Sequence, residues 1–263
     1  MEASTKCLKD FQERDLSQHD FVALFLDGKT FADDTMMIAL GVTITGEKVI
    51  LGFVQTGTEN AKAIGCFLEE LLERGLRIDE GLLAVIDGSK GLRAAVKQVF
   101  KGKVLIQRCQ WHKRENVIRY LSKSEQEPMR RKLQAAYEKP TYKEAETALQ
   151  KIRSPLEKQN LNAKNSLEEG LEETLTLHRL GVFALVGRSL KTTNCLESIN
   201  GQVEERCGKV DFWKNSSQKQ RWLASALLDI EPRLNRVMGY KHLPLLREKL
   251  KESLGLKQKS QAA

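Results

Sequence analysis

Five short apolar segments near the start of the chain constrain its fold more than any other feature. They occupy residues 21–27, 35–43, 48–56, 82–87 and 103–107. Short polar turns separate the first three segments, which favours an antiparallel meander. Apolar residues recur with helical spacing in the two later gaps, at 58–75 and 89–100, and strand–helix–strand units imply parallel pairing. The sequence therefore predicts an α/β fold with a mixed five-stranded sheet, three antiparallel strands being followed by two parallel ones.

The remainder of the sequence is predicted to be helical. Between about residues 112 and 188, Glu, Lys, Leu and Ala recur with helical spacing, and Pro128, Pro140 and Pro155 are expected to divide the region into separate helices. Helical spacing continues from residue 194 onwards. We therefore expect a lead-in at 1–20 and a sheet-bearing part at 21–122. A helical insertion at 123–190, a helical C-terminal part at 191–255 and a flexible tail at 256–263 are expected to follow.

The composition excludes several classes of protein. Hydrophobic residues make up 41% of the 263 residues, which is too much for a mostly disordered chain. No apolar run approaches the roughly 18 residues of a membrane span, and we expect no secretory signal because the first residues include no apolar core. The five cysteines are scattered and odd in number, which argues for a reducing compartment rather than a disulfide framework.

Positive charge is concentrated in two parts of the chain. The formal net charge is +8, yet residues 97–132 contain 11 basic and 3 acidic residues, and residues 191–263 contain 14 basic and 8 acidic ones. The rest of the chain is therefore acidic overall. Segregated positive charge is typical of a protein that binds a polyanion, although a solvated basic surface is the alternative.

Two aspartates are the strongest candidates for chemistry. Asp27 and Asp87 each follow an apolar segment and precede a glycine, in FLDG and VIDG. A strand end projects a side chain rigidly, and the glycine would let a substrate or metal approach the backbone. Asp-Gly is also a common turn dipeptide, so a plain turn is the alternative at each position. Two carboxylates brought close together would favour a hard divalent cation.

A third oxygen ligand is expected from the C-terminal helical part. Glu197 is the best candidate, because Thr193 or Asn194 would cap a helix and place Glu197 in its first turn. Without the two aspartates, Glu197 would be interpreted as an ordinary surface residue of that helix.

Four stretches of the chain form an ordered set of motifs. They are FLDGKTF with GVTITGEKVILGF (25–53), VIDGSKGLRAAVKQVF (85–100), QRCQWHKRENV (107–117) and TTNCLESIN (192–200). The set resembles the Mutator-type transposases of bacterial insertion sequences, and the likeness extends over essentially residues 15–255. The motifs share the family's order: two aspartates on strands, a Cys-x-x-His, a helical insertion and a glutamate helix.

The resemblance implies a fold, a reaction and partners. The fold would be the ribonuclease-H-like fold, and Asp27, Asp87 and Glu197 would be an Asp-Asp-Glu triad that holds Mg²⁺, for which Mn²⁺ substitutes. The reaction would be metal-dependent DNA cleavage that frees a 3′-OH, followed by strand transfer to target DNA. Double-stranded DNA at the element ends and the target would be the partner, together with a second copy of the chain. Such a protein would act in the bacterial cytoplasm, at the nucleoid.

One departure from the family leaves other functions open. Its members are typically longer and carry an N-terminal segment that recognises the inverted repeats of the element, whereas here the first aspartate of the triad is already residue 27. We therefore expect a catalytic domain without that segment. One alternative is a non-catalytic, regulatory transposase fragment that binds DNA or dimerises. Another is a metal-dependent nuclease with the ribonuclease-H-like fold.

Further residues are predicted to support the site or to contact DNA. Cys109 and His112 form a Cys-x-x-His that could be half of a zinc site, but the sequence offers no second closely spaced pair, so we favour a structural or DNA-contact role. Trp111 could stack on an unpaired base or pack in the core. The predicted DNA contacts are Arg108, Trp111, His112, Lys113, Arg114, Arg119, Asn194, Asn200 and Arg206.

Overall fold

The computed structural model describes residues 2–31, 34–56, 61–210 and 212–256. Its strands are β1 (Phe21–Phe31), β2 (Asp34–Thr43), β3 (Lys48–Thr56), β4 (Leu82–Ile86) and β5 (Val104–Arg108). Within the described residues these strands form one sheet in the order β3-β2-β1-β4-β5. The β1–β2 and β2–β3 pairs are antiparallel, and the β1–β4 and β4–β5 pairs are parallel. The predicted mixed sheet is confirmed, and its order is consistent with the ribonuclease-H-like fold.

Helices precede the sheet, connect its later strands and follow it. They are α1 (Glu2–Gln12), α2 (Ala61–Glu73), α3 (Lys90–Phe100), α4 (Gln110–Ile118), α5 (Lys123–Tyr137), α6 (Tyr142–Gln159), α7 (Leu161–Glu168), α8 (Leu171–Thr174), α9 (Thr176–Arg179), α10 (Phe183–Leu190), α11 (Asn194–Cys207), α12 (Ser216–Ile230) and α13 (Leu243–Leu254). Short 3₁₀ turns at Glu231–Arg233 and Tyr240–His242 join the last two helices. Among the described residues, no helix combines the length and the apolar character needed to cross a bilayer.

The sheet is covered on both faces because its strands alternate between two hydrophobic clusters. In β1, Phe25 packs in a cluster that includes residues of α11, α12 and α13, whereas Leu26 packs in the cluster that includes α2 and α3. Such alternation follows from the two-residue period of a strand. The central strands are apolar throughout, as expected for a sheet buried between helical layers.

Strand β1 is longer than the sequence predicts. The apolar segment was expected to end at Asp27, but Gly28, Lys29 and Thr30 continue the antiparallel pairing with β2 as far as the Phe31–Asp34 pair. The polar residues after Asp27 resemble a turn in sequence, yet Phe31 is buried against the ring of Trp213 and keeps the strand extended. Asp27 therefore lies within β1 rather than at its end, and Asp34, also expected in a turn, begins β2.

The segment from α4 to α8 has a hydrophobic cluster of its own. Its buried residues come from all five helices or their ends, and they include Val117, Leu133, Leu149, Leu167 and Leu175. In the part of the chain described after β5, no further strand is present, as predicted. We call α5 to α8, residues 123–174, the helical segment.

Two of the three prolines expected to divide the helical region lie inside helices. Pro128 is within α5 and Pro155 is within α6, and only Pro140 lies between helices. Both internal prolines are exposed. The carbonyl group that a proline leaves unpaired can then bond to water, which lowers the cost of the interruption.

Some helix boundaries follow local sequence signals. The Ser89 hydroxyl caps α3 by accepting a bond from the Leu92 amide at 3.2 Å, and Gly75, at φ +96°, follows the end of α2 as predicted. Residues 58–60, at the start of the region predicted to form this helix, and the tail after residue 256 lie outside the described residues.

Candidate active site

The pairing of β1 with β4 brings Asp27 and Asp87 side by side. Leu26 pairs with Ile86 in the parallel register, so the two aspartates follow at the same level of neighbouring strands. Phe25 and Val85, two residues earlier, both belong to the cluster that α11 covers. Because side chains two residues apart share a face of a strand, both carboxylates are directed towards the α11 side of the sheet.

Glu197 of helix α11 lies on the same side of the sheet. Its buried residues Leu196, Ile199 and Val203 pack on the sheet, which leaves Glu197 exposed in the first turn of the helix. Lys29 of β1 secures the helix, since its Nζ donates to the Asn200 carbonyl at 2.7 Å and lies 2.9 Å from the Glu204 carboxylate. This lysine follows Asp27 on the same face of β1, and its role was not predicted from the sequence.

The electrostatics of Asp27 link the three carboxylates. Asp27 is only 8% exposed. Burial raises its pKa to about 7, with further contributions from the charges of Asp87 and Glu197, while the charge of His112 acts in the opposite direction. Asp87 is half-buried, and its Oδ1 accepts a bond from the Ser89 amide at 2.8 Å. Asp27 is therefore close enough to Asp87 and Glu197 for their charges to act on it.

The chemistry of this donor set suits a hard divalent cation. Carboxylate oxygens are the ligands that Mg²⁺ prefers, and a cation removes the repulsion between like charges. Among the described residues, no three His, Cys, Asp or Glu side chains are already grouped closely enough to hold a metal ion. Asp27, Asp87 and Glu197 nevertheless have the carboxylate groups that such an ion requires, and they lie on one side of the sheet. The metal site is therefore a proposal.

The Cys-x-x-His motif lies between the C-terminal ends of β4 and β5 and the start of α11. The Cys109 amide donates to the Ile86 carbonyl at 2.7 Å, which places Cys109 beside Asp87. Thr193 bridges the motif: its amide and its hydroxyl lie 3.5 and 3.6 Å from Cys109 Sγ, and its hydroxyl lies 3.4 Å from His112 Nδ1. Thr193 is the N-cap residue of α11, but its side chain makes no capping bond. The motif therefore holds the first turn of the Glu197 helix against β5 and α4.

His112 contributes a positive charge to the site. Burial lowers its pKa, but the hydrogen bond and charge of Cys109, together with the charges of Asp27 and Asp87, outweigh burial and raise the pKa to about 9. The charge of this imidazolium lowers the pKa of Asp27. His112 thus offsets part of the repulsion among the acidic groups.

The contacts of Cys109 and His112 predict that the motif is not a zinc site. We expect the purified chain to carry no stoichiometric zinc and to keep its unfolding temperature after treatment with a strong chelator, because both side chains already contact Thr193. Elemental analysis and thermal unfolding test this. About one zinc per chain, or unfolding on chelation, would overturn it.

Two predicted DNA contacts lie in the interior. Arg108 is 5% exposed and Lys113 is 1% exposed, and both pair with Glu169 of the helical segment, at 2.8 and 3.3 Å. Lys113 Nζ also donates to the carbonyls of Ser166 and Glu169. Neither cation is available to phosphate in this structure, because the donors of both are already directed to groups of the same chain.

The other predicted DNA contacts differ in their availability. Arg114 is paired with Glu115, and Arg206 with Asp229. Asn200 is partly buried, and its carbonyl accepts the Lys29 bond. Arg119 and Asn194 are exposed. Trp111 is 40% exposed, and its ring lies nearly perpendicular to that of His112 with the two centroids 4.9 Å apart, so the core-packing alternative for Trp111 does not hold.

The glycine after Asp87 has a packing role. A Cβ at Gly88 would lie 2.2 Å from Arg108 Nη2, and one at Gly170 would lie 2.3 Å from Arg108 Nη1. The guanidinium thus lies between two glycine backbones and donates to the Gly88 carbonyl at 3.3 Å. The sequence interpretation assigned Gly88 to the approach of a ligand. The structure shows that it admits a buried arginine that ties the Asp87 turn to the helical segment.

Comparisons with known proteins agree with the resemblance seen in the sequence. A family model described as "Transposase, Mutator family" matches residues 1–234. The chain is 25% identical to the transposase for insertion sequence element IS905 of Lactococcus lactis, over 86% of the chain and 58% of that protein. It is 28% identical to the transposase for IS256 in transposon Tn4001 of Staphylococcus aureus, over 73% of the chain and 48% of that protein. It is also 28% identical to the ISRM5 transposase of Rhizobium meliloti, over 94% of the chain and 63% of that protein. The chain therefore spans between about half and two thirds of the length of these relatives.

Proposed function

The chain belongs to the Mutator family of transposases, and from this premise we propose that it carries the catalytic centre of an insertion-sequence transposase. One observation carries the proposal: the β1–β4 register sets Asp27 beside Asp87 on the side of the sheet from which the charge of Glu197 acts on Asp27. A buried carboxyl whose pKa is raised in part by neighbouring acidic side chains is typical of a functional site, since such an arrangement costs stability unless something compensates it.

Asp27, Asp87 and Glu197 are the residues that would hold Mg²⁺ or Mn²⁺. When bound, the ion would stabilise the attacking and leaving oxygens of an in-line displacement at phosphorus. The protein supplies rigidity, because two of the carboxylates are anchored on paired central strands and the third on a helix that Lys29 ties to β1. It also supplies a buried environment at Asp27, where electrostatic interactions are stronger than in water.

The proposed reaction has two steps at this one site. In the first, water forms a bond to the phosphorus at the element end and the bond to the 3′ oxygen breaks, which leaves a 3′-OH and a 5′-phosphate. In the second, that 3′-OH forms a bond to a phosphorus of target DNA and displaces its 3′ oxygen. The second step exchanges one phosphodiester for another, so it needs no external energy source.

Double-stranded DNA is the proposed partner, both at the element ends and at the target. Trp111 is available to stack on a base near the carboxylates, and Arg119 and Asn194 are available for polar contacts, because all three side chains are exposed. We also propose at least a dimer on DNA, since two element ends must be joined to one target.

An assay that follows both cutting and joining tests the proposed function. The chain is incubated with Mg²⁺ or Mn²⁺, a target plasmid and duplexes that carry the ends of the element containing its gene. We expect nicks that leave a 3′-OH at the element ends, followed by covalently joined products. Cutting without joining would indicate a nuclease, and binding without either would indicate a regulatory fragment; both results contradict the proposal.

A further inference from the structure

A groove on the surface of the helical segment is lined by lysines. It lies between α5 and α6, has a volume of about 680 Å³, and is bordered by Lys132, Lys139, Lys143 and Lys151. Small side chains, among them Ala136 and Ala148, form its floor. We call this surface the lysine groove. Because four charges of one sign border a single concavity, the positive potential is concentrated in the groove.

The four lysines are not neutralised by the protein. Within the described residues, none of them has an acidic partner, whereas other cations of the helical segment do: Arg130 and Arg131 pair with Glu127, and Arg153 and Lys164 with Glu168. The acid that lines the groove, Glu144, is occupied by the capping box of α6, where it accepts bonds from the Thr141 amide and hydroxyl at 3.2 and 2.6 Å. The groove therefore presents four available ammonium groups.

The lysine groove is connected to the candidate active site through a short series of contacts. Glu138, next to Lys139, pairs with Lys191. The Lys191 carbonyl accepts a bond from the Gln110 amide at 3.0 Å, and the preceding residue, Cys109, is bonded to the end of β4. This series of contacts links the Lys139 end of the groove to the end of β4, which Asp87 follows. A duplex that bound both the groove and the carboxylates would have to span these contacts.

The spacing of the lysines suits the backbone of a duplex. Lys143 and Lys151 are eight residues apart in α6, which corresponds to about 12 Å along a helix. The major groove of B-DNA is also about 12 Å wide. Two lysines at this separation can therefore reach phosphates on both sides of a groove, which a single contact could not.

We propose that the lysine groove binds backbone phosphates of the duplex that enters the active site. The proposal rests on the proposed function, because it takes DNA to be the substrate. An acidic protein segment is the other polyanion that such a groove could hold. The series of contacts that links the groove to the end of β4 favours DNA, since a substrate must reach the carboxylates and a protein partner need not.

Matched double substitutions test the proposal by the salt dependence of binding. Lys143→Gln with Lys151→Gln removes two charges from the groove, and Lys123→Gln with Lys158→Gln removes two exposed charges from the same two helices outside the groove. Binding of an arbitrary duplex by the full chain is measured across a salt series without divalent metal. Wild type is expected to lose affinity steeply as salt rises, because phosphate contacts release counterions.

We expect the groove variant, and not the control, to lose about 2 from the slope of log affinity against log salt. Its affinity should fall by roughly 10- to 60-fold near 0.1 M salt, which follows from the same relation. Equal slopes for the groove variant and the control would overturn the proposal. So would unchanged duplex binding together with weakened binding of a poly-glutamate peptide, which would assign the groove to an acidic protein. Circular dichroism checks that each variant is folded.

This assay separates the lysine groove from the proposed catalysis. Binding is measured without metal, so a chain that binds through the groove but never cuts DNA would keep the groove assignment and contradict the proposed function. A wild-type chain with no affinity for duplex DNA would contradict both.

Discussion

Asp27→Asn, Asp87→Asn and Glu197→Gln are each expected to abolish Mg²⁺-dependent cleavage and joining, by at least about a thousand-fold, or about 4 kcal/mol of activation free energy. Each substitution keeps the size of the side chain and removes the negative charge that would hold the cation. The quantities to measure are the rates of nicking and of strand joining at the element ends. Without metal, each variant should be as stable as wild type or slightly more stable, because a group of like charges loses one member.

Two conservative substitutions serve as controls for the triad. Glu205, changed to Gln, lies on the same helix as Glu197 and is exposed, and Asp79→Asn weakens an exposed pair with Lys103. Both should keep nearly full activity, since exposed ion pairs contribute little. If Glu197→Gln kept full cleavage, the triad assignment would be wrong. The third ligand would then be sought first at Glu205, because Glu204 is paired with Lys29.

Glu169→Ala is expected to cause the largest loss of stability, about 2 to 4 kcal/mol in the free energy of unfolding. The substitution removes the carboxylate shared by Arg108 and Lys113, and it leaves two cations in the interior without their paired carboxylate. The Glu169 side chain itself is 46% exposed. Water therefore screens part of the interaction, and for this reason we expect a loss of no more than about 4 kcal/mol. Denaturant unfolding at neutral pH measures the effect.

The neighbouring glutamate is the matched control for this prediction. Glu168 pairs with Arg153 and Lys164 at the surface, so Glu168→Ala should cost less than about 1 kcal/mol. Glu169→Ala combined with Lys113→Met should be more stable than Glu169→Ala alone, because one unpaired buried charge is gone. Equal stabilities of the Glu168 and Glu169 variants would show that the buried cluster does not support the fold.

The same cluster predicts a pH dependence of stability. Burial is the main cause that lowers the pKa of Lys113 to about 8, from the ordinary value of 10.5. Between these two pH values the unfolded chain binds this proton and the folded chain does not, so the Lys113 contribution to stability rises with pH, by at most about 1.4 kcal/mol per unit. Comparison of wild type with Lys113→Met from pH 7 to pH 10 should show this rise, and parallel stability curves would contradict it.

Local patterns in the sequence were enough to predict the sheet. Apolar segments of strand length, short turns and helical spacing are properties of neighbouring residues, so the three antiparallel strands and the two parallel ones could be predicted one after another. The order of the motifs around Asp27, Asp87 and Glu197 also indicated the family, and the match over residues 1–234 confirmed that family.

Other features depend on residues that are distant in sequence. Asp27 lies inside β1 because Phe31 is buried against Trp213, which is 182 positions away. Lys29 ties β1 to a helix 171 positions later, through the Asn200 carbonyl. No local pattern contains either partner, so the true end of the strand and the anchoring of the Glu197 helix could not be predicted.

What the sequence by itself determined was the set of elements, their order and the residue types available for chemistry, because hydrophobic period and local capping act over a few positions. What only the tertiary structure decided was which charges face water. Arg108 and Lys113 stand in the most basic part of the sequence and were expected to bind phosphate, yet Glu169, 61 and 56 positions away, draws both into the interior. A cation is available to DNA only when the fold brings no acid to it, and that depends on the packing of the whole chain.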